Sequence, residues 1–150
     1  PSFGNKRGFL HAVVEHETRS IFAATRPASD LPPAQQLRRS IDGYLHYVAA
    51  HPHGYRAIFR GALSTDARVR ELIDANLRGQ AQRILEAMVD GDATERLRIA
   101  VRGWIAFLIS IALDWLDEPT LSLDELAELA MASLSAIVGV ADGARVHKAL

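Results

Sequence analysis

Six histidines and eighteen carboxylates are the residues of this chain best suited to chemistry, and their spacing argues against it. His11 and His16 stand five positions apart and do not stack on one helical face, while His51 and His53 flank Pro52. There is no cysteine, and no carboxylate completes a recognisable ligand spacing with these histidines, so neither a metal nor a cofactor is expected. A nucleophile elbow, a Gly-rich phosphate loop and an HExxH pair are missing as well. Asp117 and Glu118 adjoin Pro119, where a solvated turn accounts for both. An enzyme is not expected. What remains is a binding vocabulary. Asn76 and Gln80, one helical turn apart, offer hydrogen bonds, and Tyr44, Tyr47, Tyr55, Phe59 and Trp104 hold much of the aromatic content. At helical spacing, any one of these rings also reads as packed core.

Those side chains need elements to position them, and 150 residues suffice for one domain with a real core. Apolar residues make up 49% and charged residues 23%, the balance of a globular protein rather than a disordered one. The absence of cysteine fits a reducing cytoplasm, and no stretch reads as a signal peptide. Charge is uneven: residues 1–83 carry 12 Lys and Arg against 7 Asp and Glu, and residues 84–150 carry 5 against 11. Spread over several helices, the basic excess is a modest field and reads first as solvated faces.

Apolar residues recur with helical period almost throughout. A first helix is expected from Lys6 to about Thr25, ended by the proline-rich "RPASDLPPAQQ", in which Ser29 or Asp30 is the expected cap. A second runs from about Pro33 to Ala50, with Leu37, Ile41, Tyr44, Leu45 and Val48 as its stripe. Pro52 in "HPHG" ends it, and "YRAIFRGAL" makes a short third helix. Ser64, Thr65 or Asp66 caps a fourth, which ends at "DGDAT", where Gly91 is able to take a positive φ. The fifth, "ERLRIAVRGWIAFLISIALDWL", is the most apolar. Its uncharged run from Gly103 to Leu113 is too short for a bilayer crossing, which needs roughly 20 apolar residues. Trp104, Leu108, Ile111 and Trp115 mark one of its faces and Ile105, Ile109, Ala112 and Leu116 another. In so small a domain, one of those faces is expected to find its cover on a second chain. A Ser122–Glu125 capping box opens the last helix, and "DGARVHKAL" reads as a frayed tail. The fold class is all-α, with about six helices.

The stretch "FGNKRGFLHAVVEH" at residues 3–16, followed by helices of these lengths, resembles the TetR family of bacterial transcriptional regulators. Phe3, Gly4, Asn5, Lys6, Gly8, Phe9 and Leu10 match the step by which that family passes from its helix-turn-helix head into the next helix. The proline-broken "AAHPHGYRAIFRGAL" and the paired last two helices extend the likeness over nearly the whole chain. The DNA-reading head is not in this sequence, so no base-reading residue is named.

The resemblance implies the end of the head at residues 1–5, an effector-binding and dimerisation domain at 6–141 and a tail at 142–150. It implies that Lys6 holds a DNA phosphate, a contact that positions without reading sequence. It places a small apolar or aromatic effector among Tyr44, Tyr47, Tyr55, Phe59, Asn76, Gln80, Trp104, Leu108 and Ile111, with His46 and Asp114 as further polar candidates. A homodimer is expected to form through the last two helices as a four-helix bundle, joining Ile105, Ile109, Ala112 and Leu116 to Leu126, Ala130, Ser133, Leu134 and Ile137 of both chains. The implied function is a cytoplasmic regulator, by family habit a repressor, whose effector changes the spacing of two DNA heads, with no membrane involved. Two other readings stay open: a helical dimerisation module without a ligand, and a small helical enzyme.

Overall fold

Local chemistry decides where each helix starts. In the computed structural model, which describes residues 2–62 and 64–142 and the side chains of 6–59 and 64–141, six helices appear and no strand. Helix α1 spans Ser2–Ala24, α2 Pro33–Ala50, α3 Pro52–Ala62, α4 Ala67–Met88, α5 Glu95–Asp117 and α6 Leu123–Asp142. Asp66 caps α4, its carboxylate accepting from the backbone N–H groups of Arg68 at 2.9 Å and Val69 at 3.2 Å. Thr94 caps α5 through Leu97 N–H at 3.2 Å. Ser122 and Glu125 exchange side-chain and backbone bonds of 3.1 and 3.4 Å, the expected capping box. Gly91 carries the one positive φ among the described residues, +79°.

Two expectations at the helix ends need correction. Neither Ser29 nor Asp30 caps α2. Pro32 holds the N-cap position with no side-chain bond, and the missing N–H of Pro33 falls among the orphan donors of the first turn, where it costs nothing. Helix α3 begins at Pro52 rather than Tyr55 for the same reason. His51 alone separates it from α2: its N–H ends one ladder on the carbonyl of Tyr47, and its carbonyl starts the next by accepting from Tyr55.

Helix α5 is the centre of the packing. Leu97, Val101, Trp104, Ile105 and Leu108 interlock with Leu126, Ala127, Ala130, Leu134 and Val138 of α6, with Leu37, Ile41 and Leu45 of α2, and with Ala81, Leu85 and Met88 of α4. The Trp104 indole N–H donates to the carbonyl of Ala130 at 3.0 Å and to Ser133 Oγ at 3.2 Å. By length and composition α5 is apolar enough to cross a bilayer, yet both of its apolar faces meet helices of its own chain. Helix α1 packs on α4, α3 and α2. A side chain at Gly43 would collide with the carbonyl of Ala24, so the end of α1 crosses α2 at backbone distance.

This packing turns most of the residues expected at the dimer surface toward their own chain. Ile105, Ala112, Leu126, Ala130 and Leu134 are each at most 8% exposed and are covered by their own chain. Ile109, Leu116 and Ile137 are half-buried against the same core, and Ser133 accepts from Trp104. The second apolar face of α5 is thus covered in large part by its own chain, Ile105 and Ile109 within the main core and Ala112 and Leu116 against Ile21, Tyr47, Val48 and Tyr55. What lies open is a different face: Ile99, Gly103, Ala106 and Ser110 on α5, with Leu129, Ala132, Ala136 and Val140 on α6. Ile99 and Val140 are 57% and 76% exposed and share a shallow groove with Ala136.

Candidate functional site

Five helices leave a cavity of about 70 Å³ between them, walled almost wholly by apolar side chains. Ile21 closes it from α1 and Thr25 from just past that helix; Leu37, Ser40, Ile41 and Tyr44 from α2; Tyr55, Ile58 and Phe59 from α3. Ile73, Asn76, Leu77, Gln80, Arg83 and Ile84 close it from α4, and Trp104, Ile105, Leu108 and Ile109 from α5. The volume holds a few waters. A drug-sized pocket is several times larger, at roughly 300–1,000 Å³, so a ligand of ordinary size enters only if a wall moves.

The polar groups of the cavity fall in two places. At one, the hydroxyls of Tyr44 and Tyr55 meet in a short hydrogen bond, with their rings edge to face at 5.8 Å and Tyr55 against Phe59 at 4.9 Å. Burial pushes both phenols above their ordinary value, so the pair is neutral across physiological pH. Two phenolic protons share one contact. One O–H therefore has no acceptor among the described residues and can turn to a guest.

The other place is the seam between α1 and α4. Asn76, Gln80 and Arg83 recur on one face of α4, and all three reach the last turns of α1. Asn76 Nδ2 donates to the carbonyl of Thr18 at 3.0 Å, and Gln80 Nε2 to Thr25 Oγ1 at 3.0 Å. Arg83 Nη1 donates to the carbonyl of Phe22 at 2.6 Å and to Thr25 Oγ1 at 3.2 Å, while its guanidinium lies 3.3 Å above the centroid of the Phe22 ring. Burial, and then the nearby Arg26, disfavour the charged guanidinium and lower its pKa. The polar side chains lining the cavity from α4 are thus the ones that hold α1 in place.

Most of the residues singled out in the sequence for an effector converge here: Tyr44, Tyr55, Phe59, Asn76, Gln80, Trp104 and Leu108. Two do not. Tyr47 is buried outside the cavity, donating its hydroxyl proton to Glu17 and stacking on His51 at 4.5 Å. Ile111 is half-buried in the main core, away from the lining. His46 and Asp114 face solvent. Arg83 was missed. Alone it reads as a solvated arginine; its place seven residues after Asn76 and three after Gln80 was the available signal.

Toward the start of α1, Asp66 is held twice more. Arg7 Nε lies 3.2 Å and His11 Nε2 2.9 Å from its Oδ2. The His11 hydrogen bond is the largest cause of a carboxyl pKa held below its ordinary value. Lys6 is exposed and lies in the second turn of α1, past the four orphan N–H groups of the helix start. The side chains of Phe3, Gly4 and Asn5 and the tail 143–150 lie outside the described residues.

The chain is thus a helical body around a small, mostly apolar cavity, with a long first helix tied to its wall. A family model described as "Tetracyclin repressor-like, C-terminal domain" matches residues 33–137, and the chain belongs to that family. Among solved structures, the chain is similar to the crystal structure of a TetR-family transcriptional regulator from Streptomyces coelicolor, with 23% identity and a TM-score of 0.83. That likeness shows the fold; it covers 92% of this chain and 63% of the other. Among curated proteins, none matches.

Proposed function

We propose that this domain senses a small apolar or aromatic effector and passes the signal through α1 to a DNA-binding head in a homodimeric bacterial repressor. The observation that carries the reading is the shared use of Asn76, Gln80 and Arg83, which line the cavity and also bind α1. A guest larger than 70 Å³ must push the α1 wall outward or draw those three side chains away. Either change favours a different tilt of α1. The effector shifts the population of tilts by no more than its difference in affinity between them. Two heads on a dimer must match half-sites one helical turn, roughly 34–36 Å, or a multiple apart, so a small tilt carried along α1 weakens DNA binding. Lys6 contributes a phosphate contact near the head.

For the dimer, the support is the open face of small and apolar residues on α5 and α6. Ile99, Gly103, Ala106, Leu129, Ala132, Ala136 and Val140 let two copies approach closely about a two-fold axis. Sedimentation of the purified protein as a monomer at micromolar concentration would remove this part of the proposal. Work on DNA places the protein in the cytoplasm.

The smallness of the cavity favours a second reading, a dimerisation module in which the cavity is only a packing gap. A thermal-shift panel of small apolar and aromatic compounds separates the two. Effector binding predicts compounds that raise the melting temperature of the wild type, by an amount equal to about 2.7 kcal/mol at a hundredfold excess over Kd, and that lose this effect in the cavity-filling variant Ser40→Phe. A panel without any shift, with Ser40→Phe at least as stable as the wild type, supports the packing gap.

A further inference from the structure

We propose that the effector is an apolar acid, its chain or ring taken up among Ile41, Leu108 and Ile109 and its carboxylate received by Arg83 beside Thr25 and Gln80. The proposal rests on the reading of the cavity as an effector site and adds the charge of the guest. Arg83 is the half-buried cation of a wall whose other polar side chains are neutral. Every ion pair among the described residues engages some other cation, and no carboxylate pairs with Arg83. Its neighbour in charge is Arg26, of the same sign. The groups it does touch are neutral: a backbone carbonyl, a hydroxyl and a ring face.

The carbonyl of Phe22 belongs to the last turn of α1, where the helix dipole amounts to about half a negative charge. That leaves the guanidinium under-compensated. A glutamine would satisfy a lone carbonyl at lower desolvation cost, so the positive charge itself calls for a reason. Only Nη1 makes a hydrogen bond, and the remaining N–H donors of the planar fork suit a bidentate carboxylate. A carboxylate seated in the cavity on those donors turns the guanidinium toward itself and away from the Phe22 carbonyl. Binding it draws Arg83 off the end of α1, so the contact that recognises the acid is also the contact whose loss frees the helix.

The test uses three probes of equal chain length, octanoate, 1-octanol and octylammonium, titrated calorimetrically into the purified protein and into Arg83→Gln and Arg83→Lys. The expected order for the wild type is octanoate at least tenfold tighter than 1-octanol, with octylammonium weakest. Arg83→Gln should bring octanoate and octanol to within about twofold of each other, and Arg83→Lys should keep most of the preference. If Arg83→Gln fails to fold, the wild-type order and Arg83→Lys carry the decision. Octanol binding as tightly as octanoate, or a preference that survives Arg83→Gln, overturns the anionic guest and leaves the cavity as an effector site. No binding of any of the three overturns this inference. If the wider apolar panel is also silent, the effector site falls with it.

Discussion

The two seams of this domain are of similar extent but opposite chemistry. Where α5 meets α6, Trp104, Leu97, Val101, Leu134 and Ala130 are each at most 1% exposed; the buried polar link is the indole on the Ala130 carbonyl, and Arg96 adds an exposed bond to the Val140 carbonyl at the rim. Where α1 meets α4, Val14, Ile21, Val69 and Ile73 give an apolar strip, but Asn76, Gln80, Arg83 and Asp66 hold the helix through hydrogen bonds and charge. Under the proposed function this difference matters. Burial of apolar surface is non-directional and resists small displacements over the whole contact. A hydrogen bond contributes roughly 0.5–1.5 kcal/mol net and can be exchanged for one to a guest or to water. The first seam is built to stay and the second to let go.

The largest expected effect lies on the first seam. Trp104→Ala removes the biggest fully buried side chain and the indole donor shared by the Ala130 carbonyl and the Ser133 hydroxyl, which stay bonded to each other. A loss of about 3–5 kcal/mol is expected from the cavity alone, read as a lower urea midpoint for the whole molecule. Trp104→Phe, which keeps most of the volume and removes the donor, should cost appreciably less. A Trp104→Ala loss confined to one helix by hydrogen exchange would show that α5 and α6 do not act as one unit, and the contrast would collapse.

The second seam should respond locally. Gln80→Leu removes a donor to Thr25 but leaves that hydroxyl bonded to the carbonyl of Ile21 at 2.9 Å. A global cost of about 1 kcal/mol is expected, together with faster amide exchange at residues 18–24 and unchanged protection in α5 and α6. Uniform loss of protection over all helices would mean that α1 is as firmly built in as α6 and cannot serve as a separately movable arm.

How far the sequence foretells this arrangement depends on whether the relevant order is local. Helix positions follow from apolar period and capping residues, and these are read within one turn: Ser122 with Glu125, Asp66 before Ala67, Thr94 before Glu95. The aromatic and amide residues around the cavity follow from helical spacing together with family likeness. The open face of α5 and α6 does not. Hydropathy marks Leu126, Ala130 and Leu134 as a buried stripe without saying whose helices bury it, and the face left open is written in small residues, Ala132, Ala136 and Gly103, that no hydropathy scale emphasises. Tyr47 carries the same ambiguity: a tyrosine on α2 one turn from Tyr44 points to either side of the helix bundle, and its partner Glu17 lies 30 residues away. Arg83 fails for a related reason. Its role depends on Phe22, 61 residues distant, and an isolated arginine on a helix looks solvated.

The smallest expected effect also separates charge from geometry at the far end of α1. Asp66 both caps α4 and faces Arg7 and His11. Its carboxyl pKa is depressed by folding, so its ionic contribution is complete above the ordinary Asp value of 3.8 and is lost as the pH falls through the lower folded value. Asp66→Asn keeps an amide oxygen for the cap and removes the charge. At neutral pH the variant should melt below the wild type, and the gap should close in acid, under pH 3.8, as the wild-type carboxylate takes up its proton. A gap of equal size at both pH values would assign Asp66 to cap geometry alone. In that case the polar hold of α4 on α1 would rest at the cavity end, with Asn76, Gln80 and Arg83, beside the apolar strip of Val14, Val69 and Ile73.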